Sequence, residues 1–390
     1  MDKKILPSLL IMIKPLLIGG ILLVQAACPS LKSSSSKPKE VRRSAYYWKS
    51  SFNITNEDKA KLKSAGINTL YVKLFEVGND YEEVPIETPE ASSNSKEEVD
   101  KPKPSYPLPS AGHNIWGKPD IPEFEVIPVI FIHPGILPKL STPQIRELAQ
   151  KIMKKAGCLP YLNTAKLGPN RPFKELQIDC DWQKSQQKTY FELLSAMQAL
   201  NKDIEFSVTL RLYAYKYFKE MGVPPVSRCM LMPYNLHAPD ISKGPSIYNE
   251  NEAEPYFGNT EYPLPLDMAL PTFGWVKTFQ DNTFKRLYVL TNDTIDAELL
   301  DLTNPIVNGL KIKKESDYKQ YKGIRDYCYF EQGDELYWDS PKKSDLLHIS
   351  EISRKAMKGK FSVCLFSIDD YLFNQYKKEA LDEVFSAFLP

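Results

Sequence analysis

The sequence predicts an α/β protein whose core is a (β/α)8 barrel, irregular in places, with insertions after the second and seventh strands. Eight short apolar segments of strand length recur along the chain, and amphipathic helical segments separate several of them. At 390 residues, with 42% hydrophobic and 25% charged residues, the chain can bury one large core. These observations favour a barrel over a disordered or fibrous chain.

Each predicted strand is an apolar run bounded by turn residues. In chain order the eight strands span residues 45–49, 69–75, 125–132, 176–182, 205–213, 229–234, 264–270 and 361–368. Helices are predicted over residues 56–65, 142–156 and 188–200, and a further amphipathic helix follows the last strand. The second of these helices begins with Ser-Thr-Pro, an N-cap signal with proline in the first turn, and stops at Gly157. Little helix is evident between the fifth and sixth strands.

Two segments interrupt this alternation. Residues 79–120 are rich in proline and too polar to fold alone, so we expect a low-complexity surface insertion there. Between the seventh and eighth strands, the run WVKTFQDNTFKRLYVL predicts a β-hairpin that turns at QDN. We therefore expect an inserted subdomain at about residues 276–360, within a barrel domain that covers residues 44–390.

The first 27 residues have the three-part pattern of an export signal. Lys3 and Lys4 form a positive region, residues 15–24 form an apolar core, and small residues precede Cys28. The apolar core is shorter than the roughly 20 residues that a transmembrane helix needs. We therefore predict that residues 1–27 are a signal peptide.

The residues before Cys28 resemble the lipobox of bacterial lipoproteins, although Gln25 departs from the aliphatic residue usual at its place. The resemblance implies a diacylglyceryl group on the Cys28 thiol and anchoring to a bacterial membrane, on its periplasmic or cell-surface face. Two acyl chains give stable anchoring where one does not. Residues 28–43, rich in serine and lysine, are then expected to be a flexible tether. The alternative is a plain secretory signal with an incidental cysteine.

Charge and motifs exclude several classes of function. A formal net charge of +1 supports neither nucleic-acid binding nor an anionic-lipid patch. The chain contains no phosphate-binding loop, dinucleotide-binding glycine motif or nucleophile elbow, so no cofactor is expected. The four histidines are scattered and no CxxC pair occurs, so no metal site is expected.

The cysteines do not predict a disulfide framework. Six are present, and setting Cys28 aside leaves an odd number. Cys180, Cys229 and Cys364 lie in apolar strand-like runs, where a free thiol behaves as a small buried hydrophobe.

The stretch LQIDCDWQ, which contains the predicted fourth strand, carries two carboxylates. If Ile178 and Cys180 face the helices, strand alternation places Gln177, Asp179 and Asp181 in the lumen, with Gln183 as a further candidate. Both carboxylates then lie near the carboxyl-terminal mouth, where barrel enzymes place their chemistry. Two close carboxylates repel, so at least one should have a raised pKa unless a cation lies between them.

The fifth strand, EFSVTLRLY, supplies such a cation by the same alternation. Arg211 and Tyr213 face inward, and Arg211 is expected beside Asp179 or Asp181. Lys73 on the second strand is a further candidate partner. The alternative is that the aspartate–arginine pair is purely structural.

Two motifs carry a resemblance to a known family. IDCDWQ resembles the D-x-D-x-E motif on the fourth strand of family 18 glycoside hydrolases, the chitinase-like barrels, and MPYN is similar to M-x-Y-D on their sixth strand. The resemblance implies a carbohydrate ligand, with Asp181 orienting the substrate's acetamido group and the final motif residue acting as acid. The chain is also similar to uncharacterised bacterial lipoproteins with a predicted TIM-barrel domain.

The sequence departs from the family at two positions. Gln183 stands in place of the acidic glutamate, and a neutral amide cannot deliver a proton to a leaving oxygen. Asn235 replaces the sixth-strand aspartate. The catalytic candidates are Asp179 and Asp181, and the substrate-binding candidates are Trp182, Gln183, Arg211, Tyr213, Tyr234 and Asn235.

Three functions follow as alternatives. The first is a membrane-anchored lipoprotein whose glycosidase-like barrel binds carbohydrate without cleaving it by the family's route. The second is an active glycoside hydrolase that uses Asp181 and another carboxylate, for which the sequence offers Glu76, Asp267, Asp369 and Asp370. The third is a non-catalytic lipoprotein that serves surface adhesion or assembly.

Overall fold

Eight parallel strands close into a barrel in the computed structural model, which describes residues 40–49, 52–78, 121–157, 173–258, 261–293, 295, 299–306 and 309–389. The predicted signal peptide, Cys28 and the predicted insertion at 79–120 lie outside these residues. Within the described segments, no helix combines the length and apolar character needed to cross a membrane.

The barrel strands are numbered along the whole chain, so the eighth of them is β15. They are β1 (Glu40–Tyr47), β2 (Thr69–Val77), β3 (Glu125–Ile132), β4 (Glu175–Asp179), β5 (Glu205–Arg211), β6 (Arg228–Met232), β7 (Leu266–Pro271) and β15 (Lys360–Phe366). Around the barrel they follow the order β1-β15-β7-β6-β5-β4-β3-β2, each pair parallel. The predicted (β/α)8 architecture is confirmed.

Helices follow the strands as this architecture requires. They are α1 (Asn56–Ser64), α2 (Thr142–Lys155), α3 (Gln187–Leu200), α4 (Leu212–Lys216), α5 (Phe218–Met221), α6 (Glu250–Phe257), α7 (Lys343–Ser353), α8 (Asp370–Gln375) and α9 (Lys378–Ser386). Thr55 begins α1 with a reciprocal capping box to Asp58. Only the short helices α4 and α5 connect β5 to β6, which agrees with the weak helical signal there.

Strand β1 begins at Glu40, inside the segment 28–43 that was expected to be a tether. The charged side chains that suggested a tether are paired in the barrel. Lys360 Nζ lies 2.7 Å from Glu40 Oε1, and Arg42 Nε donates to Ser362 Oγ at 2.7 Å. Strand β1 therefore pairs with β15 from Glu40 onward, and the barrel begins at residue 40 rather than at residue 44.

The connection from β7 to β15 carries a separate antiparallel sheet. Its strands are β8 (Trp275–Gln280), β9 (Thr283–Val289), β10 (Leu300–Ile306), β11 (Gly309–Ile312) and β14 (Glu335–Asp339), in the order β10-β11-β14-β8-β9. A two-stranded ladder joins β12 (Lys319–Gln320) to β13 (Tyr327–Cys328). The β8–β9 hairpin turns at Asp281 and Asn282, whose positive φ angles suit such a turn. Helix α7 follows this sheet and packs against β7.

Charged side chains fill the amino-terminal end of the lumen. Arg228 Nε lies 2.8 Å from Asp267 Oδ2, and Asp267 also accepts from the backbone N–H of Ser362 at 2.5 Å. Ser207 donates to Glu175 at 2.6 Å. Burial raises the pKa of both carboxyls above the ordinary range. We call Arg228, Asp267 and Glu175 the floor cluster.

Four cysteines in the described part of the chain are buried free thiols: Cys180, Cys229, Cys328 and Cys364. Burial agrees with the prediction that Cys180, Cys229 and Cys364 act as small hydrophobic residues.

Candidate functional site

Strand β4 places alternate side chains in the lumen. The Tyr46 hydroxyl on β1 donates to Gln177 Oε1, although β1 and β4 are not neighbours in the barrel, so this bond crosses the lumen. Gln177 Nε2 in turn donates to Ser207 Oγ at 3.4 Å. The inward direction predicted for Gln177, and by alternation for Asp179, is therefore correct.

Asp179 is buried one layer above Gln177. It accepts a hydrogen bond of 2.5 Å from Thr209 Oγ1 on β5. The pKa of Asp179 is raised from 3.8 to about 7. Burial is the main cause and the Asp181 charge acts in the same direction, whereas the Thr209 hydrogen bond and the charges of Arg211 and Lys73 act against it. Asp179 therefore holds its proton up to near neutral pH.

Asp181 lies beyond the end of β4 and is half exposed. Its Oδ1 lies 3.6 Å from Nε of Arg211, the last residue of β5, and its side chain keeps 51% of its accessible surface. Arg211 Nη2 donates to the backbone carbonyl of Asn235 at 2.6 Å. The guanidinium thus joins the mouth ends of β4, β5 and the segment after β6. Of the two positions predicted for Arg211, the structure places it in the ion pair with Asp181.

A pocket of about 400 Å³ opens beside this ion pair. It is lined by Asp181, Trp182, Gln183, Lys184, Arg211, Tyr213, Glu220 and Met221, which we call the rim pocket. Tyr213 is 53% exposed, and its ring centroid lies 4.7 Å from that of Tyr217, also exposed. The rim pocket therefore combines an exposed aromatic pair with a carboxylate, a guanidinium and an amide.

Three predicted binding residues, Tyr213, Trp182 and Gln183, line the rim pocket and not the lumen. Strand β5 ends at Arg211, so Tyr213 lies in α4 at the rim rather than in the lumen. Trp182 is buried, with its ring centroid 5.3 Å from that of Phe191 in α3. Gln183 is exposed and begins a 3-10 turn, its backbone N–H bonded to the side chain of Gln186.

The two remaining predicted residues, Tyr234 and Asn235, follow β6 on the lumen side of the mouth. The Tyr234 ring stacks on Phe366 with centroids 5.7 Å apart and contacts Phe273 at 5.9 Å. Phe366 also lies 5.5 Å from Trp48, so aromatic rings cover this side of the mouth. The Tyr234 hydroxyl and Asn235 Oδ1 are buried and have no hydrogen-bond partner among the described residues. Such atoms need a water or a ligand group.

The other carboxylates considered as acids have other partners. Glu76 pairs with Lys73 at 2.5 Å and lies 3.4 Å from His133 Nε2; burial raises its pKa, but these two partners hold it below the ordinary range. Asp369 caps α8 and pairs with Arg325, and Asp370 is exposed in the first turn of that helix.

Asp267, the remaining one of these carboxylates, belongs to the floor cluster, at the opposite end of the barrel from the mouth. Glu220, which the sequence interpretation did not consider, is instead the carboxylate that lines the rim pocket together with Asp181. Its only signal in the sequence is a place in the connection between β5 and β6.

Among the residues that the structure describes, no group of three or more histidine, cysteine or acidic side chains could hold a metal ion. The side chains that line the rim pocket can form hydrogen bonds, stack their rings and form ion pairs.

No model of a known protein family matches the chain, and no curated protein matches it. The chain is similar in structure to the spore cortex-lytic enzyme SleL of Bacillus cereus, with 12% identity, 91% of this chain and 76% of that chain covered, and a TM-score of 0.47. For SleL of Bacillus megaterium QM B1551 the values are 13%, 90%, 74% and 0.46. For the catalytic domain of a hyperthermophilic chitinase from Pyrococcus furiosus they are 11%, 90%, 98% and 0.41.

Chitinases are thus among the structures that this chain resembles, as its strand motifs suggested. These likenesses are remote in sequence, and each TM-score is below 0.5. The fold is established by the closed barrel itself, and function has to be argued from the side chains at its mouth.

Proposed function

We propose that this chain is an exported, membrane-anchored lipoprotein whose barrel binds carbohydrate at its mouth without the acid that chitinase-like hydrolases use. The observation that carries the proposal is the rim pocket, where the exposed Tyr213 ring lies beside the Asp181–Arg211 ion pair. Flat rings stack on the apolar faces of sugars, while charged and amide groups bond to their hydroxyls.

Further support comes from the lumen side of the mouth. The unpaired Tyr234 hydroxyl can donate and accept, and Asn235 Oδ1 can only accept. A sugar hydroxyl can satisfy either atom, because it both donates and accepts a hydrogen bond.

The protonation states favour binding over cleavage by the family's route. Gln183 carries no ionisable proton, and the proton that Asp179 holds near neutral pH lies on a buried carboxyl bonded to Thr209. Neither group offers an exposed acid to a leaving oxygen at the rim pocket.

One observation favours a second candidate, an active glycoside hydrolase. Glu220 lines the same pocket as Asp181, and two carboxylates across a sugar are the usual requirement for glycoside hydrolysis. In this case shortened sugars would be released, and Glu220→Gln would abolish their release while Gln183→Ala would not.

The binding proposal is tested by screening the purified full chain, in a detergent without a sugar headgroup, against chitin-type, bacterial and host glycans. We expect binding, and we expect Tyr213→Ala to weaken it about tenfold because the stacking surface is lost. Calorimetry measures the affinity, and chromatography of the same samples detects any cleavage.

Tyr318→Ala is the matched control, because Tyr318 is a more exposed tyrosine on the inserted segment and lies outside the rim pocket. An unchanged affinity is expected there. Absence of binding to every glycan would overturn the carbohydrate proposal and favour a surface adhesion or assembly role.

The anchoring proposal is tested separately in bacteria fed radiolabelled fatty acid. We expect label on the chain and its complete loss in Cys28→Ala, because the thiol is the acceptor of the diacylglyceryl group. Cys180→Ala should keep the label, because that thiol is buried in the barrel. A chain that never incorporates label would show that the segment before residue 40 is not a lipoprotein signal.

A further inference from the structure

The inserted sheet is bonded to the loop that follows β6. Asp339 at the end of β14 accepts from the backbone N–H and the hydroxyl of Ser246, at 2.5 and 2.7 Å, and from the N–H of Ile247 at 3.3 Å. Lys277 on β8 donates to the carbonyl of Gly244 at 2.7 Å. Four hydrogen bonds from two strands of the sheet therefore fix residues 244–247.

Lys277 and Asp339 also pair with each other. Their charged atoms lie 3.3 Å apart, and their side chains are only 3% and 1% exposed. Burying two charges is expensive unless both are paired and hydrogen-bonded, and the bonds to residues 244–247 complete this requirement. The loop and the sheet therefore depend on one another for their positions.

The same loop holds the segment that contacts Arg211. The Asn235 N–H donates to the carbonyl of Ile247 at 2.8 Å, and the Leu236 N–H donates to the carbonyl of Ser246 at 3.0 Å. Asn235 has a φ of 53°, a left-handed conformation that asparagine adopts more readily than most residues other than glycine. In this conformation its carbonyl accepts from Arg211, which pairs with Asp181.

We propose that Asp339 and Lys277 of the inserted sheet are positioning residues for the rim pocket, and that they act through the loop at 244–247 and Asn235 on the Arg211–Asp181 pair. Only the expected effect on ligand binding rests on the proposed function. The geometric effect on Arg211 is independent of any ligand. The inserted sheet thus becomes part of the binding machinery rather than an appendage of the barrel.

The sheet provides its own matched control. Asp334 is a second buried aspartate of the insertion, and it pairs with Lys285 at 2.7 Å and accepts from the N–H of Glu331. Among the described residues, its ion-pair and side-chain hydrogen-bond partners lie outside residues 244–247. Asp334→Asn therefore removes the same kind of charge from the same inserted segment, next to β14, without touching the proposed connection.

The test compares Asp339→Asn with Asp334→Asn in the full chain labelled with ¹⁵N-arginine. The Arg211 Nε–H signal is identified by its loss in Arg211→Lys. In Asp339→Asn, the new amide group would face backbone N–H donors, so residues 244–247 should move and the Arg211 signal should shift. The signal should stay in place in Asp334→Asn. An unshifted Arg211 signal in folded Asp339→Asn overturns the proposal.

If Asp339→Asn does not fold, Ser246→Ala decides the question by the same criterion, because it removes only the bond from the Ser246 hydroxyl.

For a glycan found in the binding screen, Asp339→Asn should lower affinity about tenfold. Its effect should not add to that of Arg211→Lys, because both act on one ion pair. Additive losses would overturn the route through Arg211. A chain that binds no glycan would overturn the proposed function alone, and the arginine signals would still decide this inference.

Discussion

Replacing Arg228 with methionine is expected to lower the free energy of unfolding by about 3–5 kcal/mol at pH 8, because it leaves a buried carboxylate without its cation. Asp267 is only 1% exposed and lies 2.8 Å from the Arg228 guanidinium. Without Arg228, Asp267 would keep only its hydrogen bonds with Ser362 and the more distant charge of Arg42. Urea unfolding of the variant and the native chain measures the difference.

The loss should be smaller at pH 4 than at pH 8. Burial already raises the pKa of Asp267, and removing Arg228 raises it further, so at low pH the carboxyl is protonated and needs no cation. Lys61→Met is the control, since it breaks the exposed Lys61–Glu57 pair and should cost less than about 1 kcal/mol. Equal losses of Arg228→Met at the two pH values would show that its packing, and not its charge, stabilises the floor cluster.

The fold could be predicted from the sequence because its strands are short apolar runs with clear ends. Strand β3 begins and ends at the predicted residues. The residues that cap α1 and α2 lie next to those helices in the sequence. Strand β1 was shortened in the prediction because Glu40 and Arg42 look like solvated charges until their partners on β15, far along the chain, are known. Pairing between distant segments cannot be inferred from local polarity.

The candidate site was predictable only as far as strand alternation extends. Alternation correctly placed Gln177 and Asp179 in the lumen, and it brought Asp181 next to Arg211. Beyond the strand ends it fails, because the chain leaves the pleat there: Tyr213 enters a helix at the rim, and Gln183 precedes a 3-10 turn. The link from the inserted sheet to Arg211 could not be predicted for the same reason, because it runs through hydrogen bonds to loop backbone groups.

Asp179→Asn is expected to make the barrel more stable than the native chain at pH 8, by roughly 4 kcal/mol if the whole shift is realised. The native carboxyl is buried and its pKa is raised to about 7. The carboxamide removes the charge that burial disfavours, and its oxygen can still accept the bond from Thr209. Unfolding by urea between pH 3 and pH 8 measures the difference from the native chain.

The direction with pH follows from the sign of the shift. Because the folded pKa lies above the unfolded one, between about pH 3.8 and pH 7 the folded chain holds a proton that the unfolded chain releases. This stabilisation is complete below the unfolded pKa and is lost as pH rises through about 7. The advantage of Asp179→Asn should therefore vanish near pH 3 and grow by at most about 1.4 kcal/mol per pH unit.

Thr209→Val is the opposing variant, because it removes a hydrogen bond that lowers the pKa of Asp179. In Thr209→Val, the pH range over which the free energy of unfolding decreases should extend to higher pH. In Asp179→Asn this decrease should be absent. If Asp179→Asn keeps the pH dependence of the native chain, another group holds the proton. If the dependence disappears and glycan affinity falls with it, the barrel retains a carboxylate that costs stability at neutral pH because the ligand requires it, as functional sites often do.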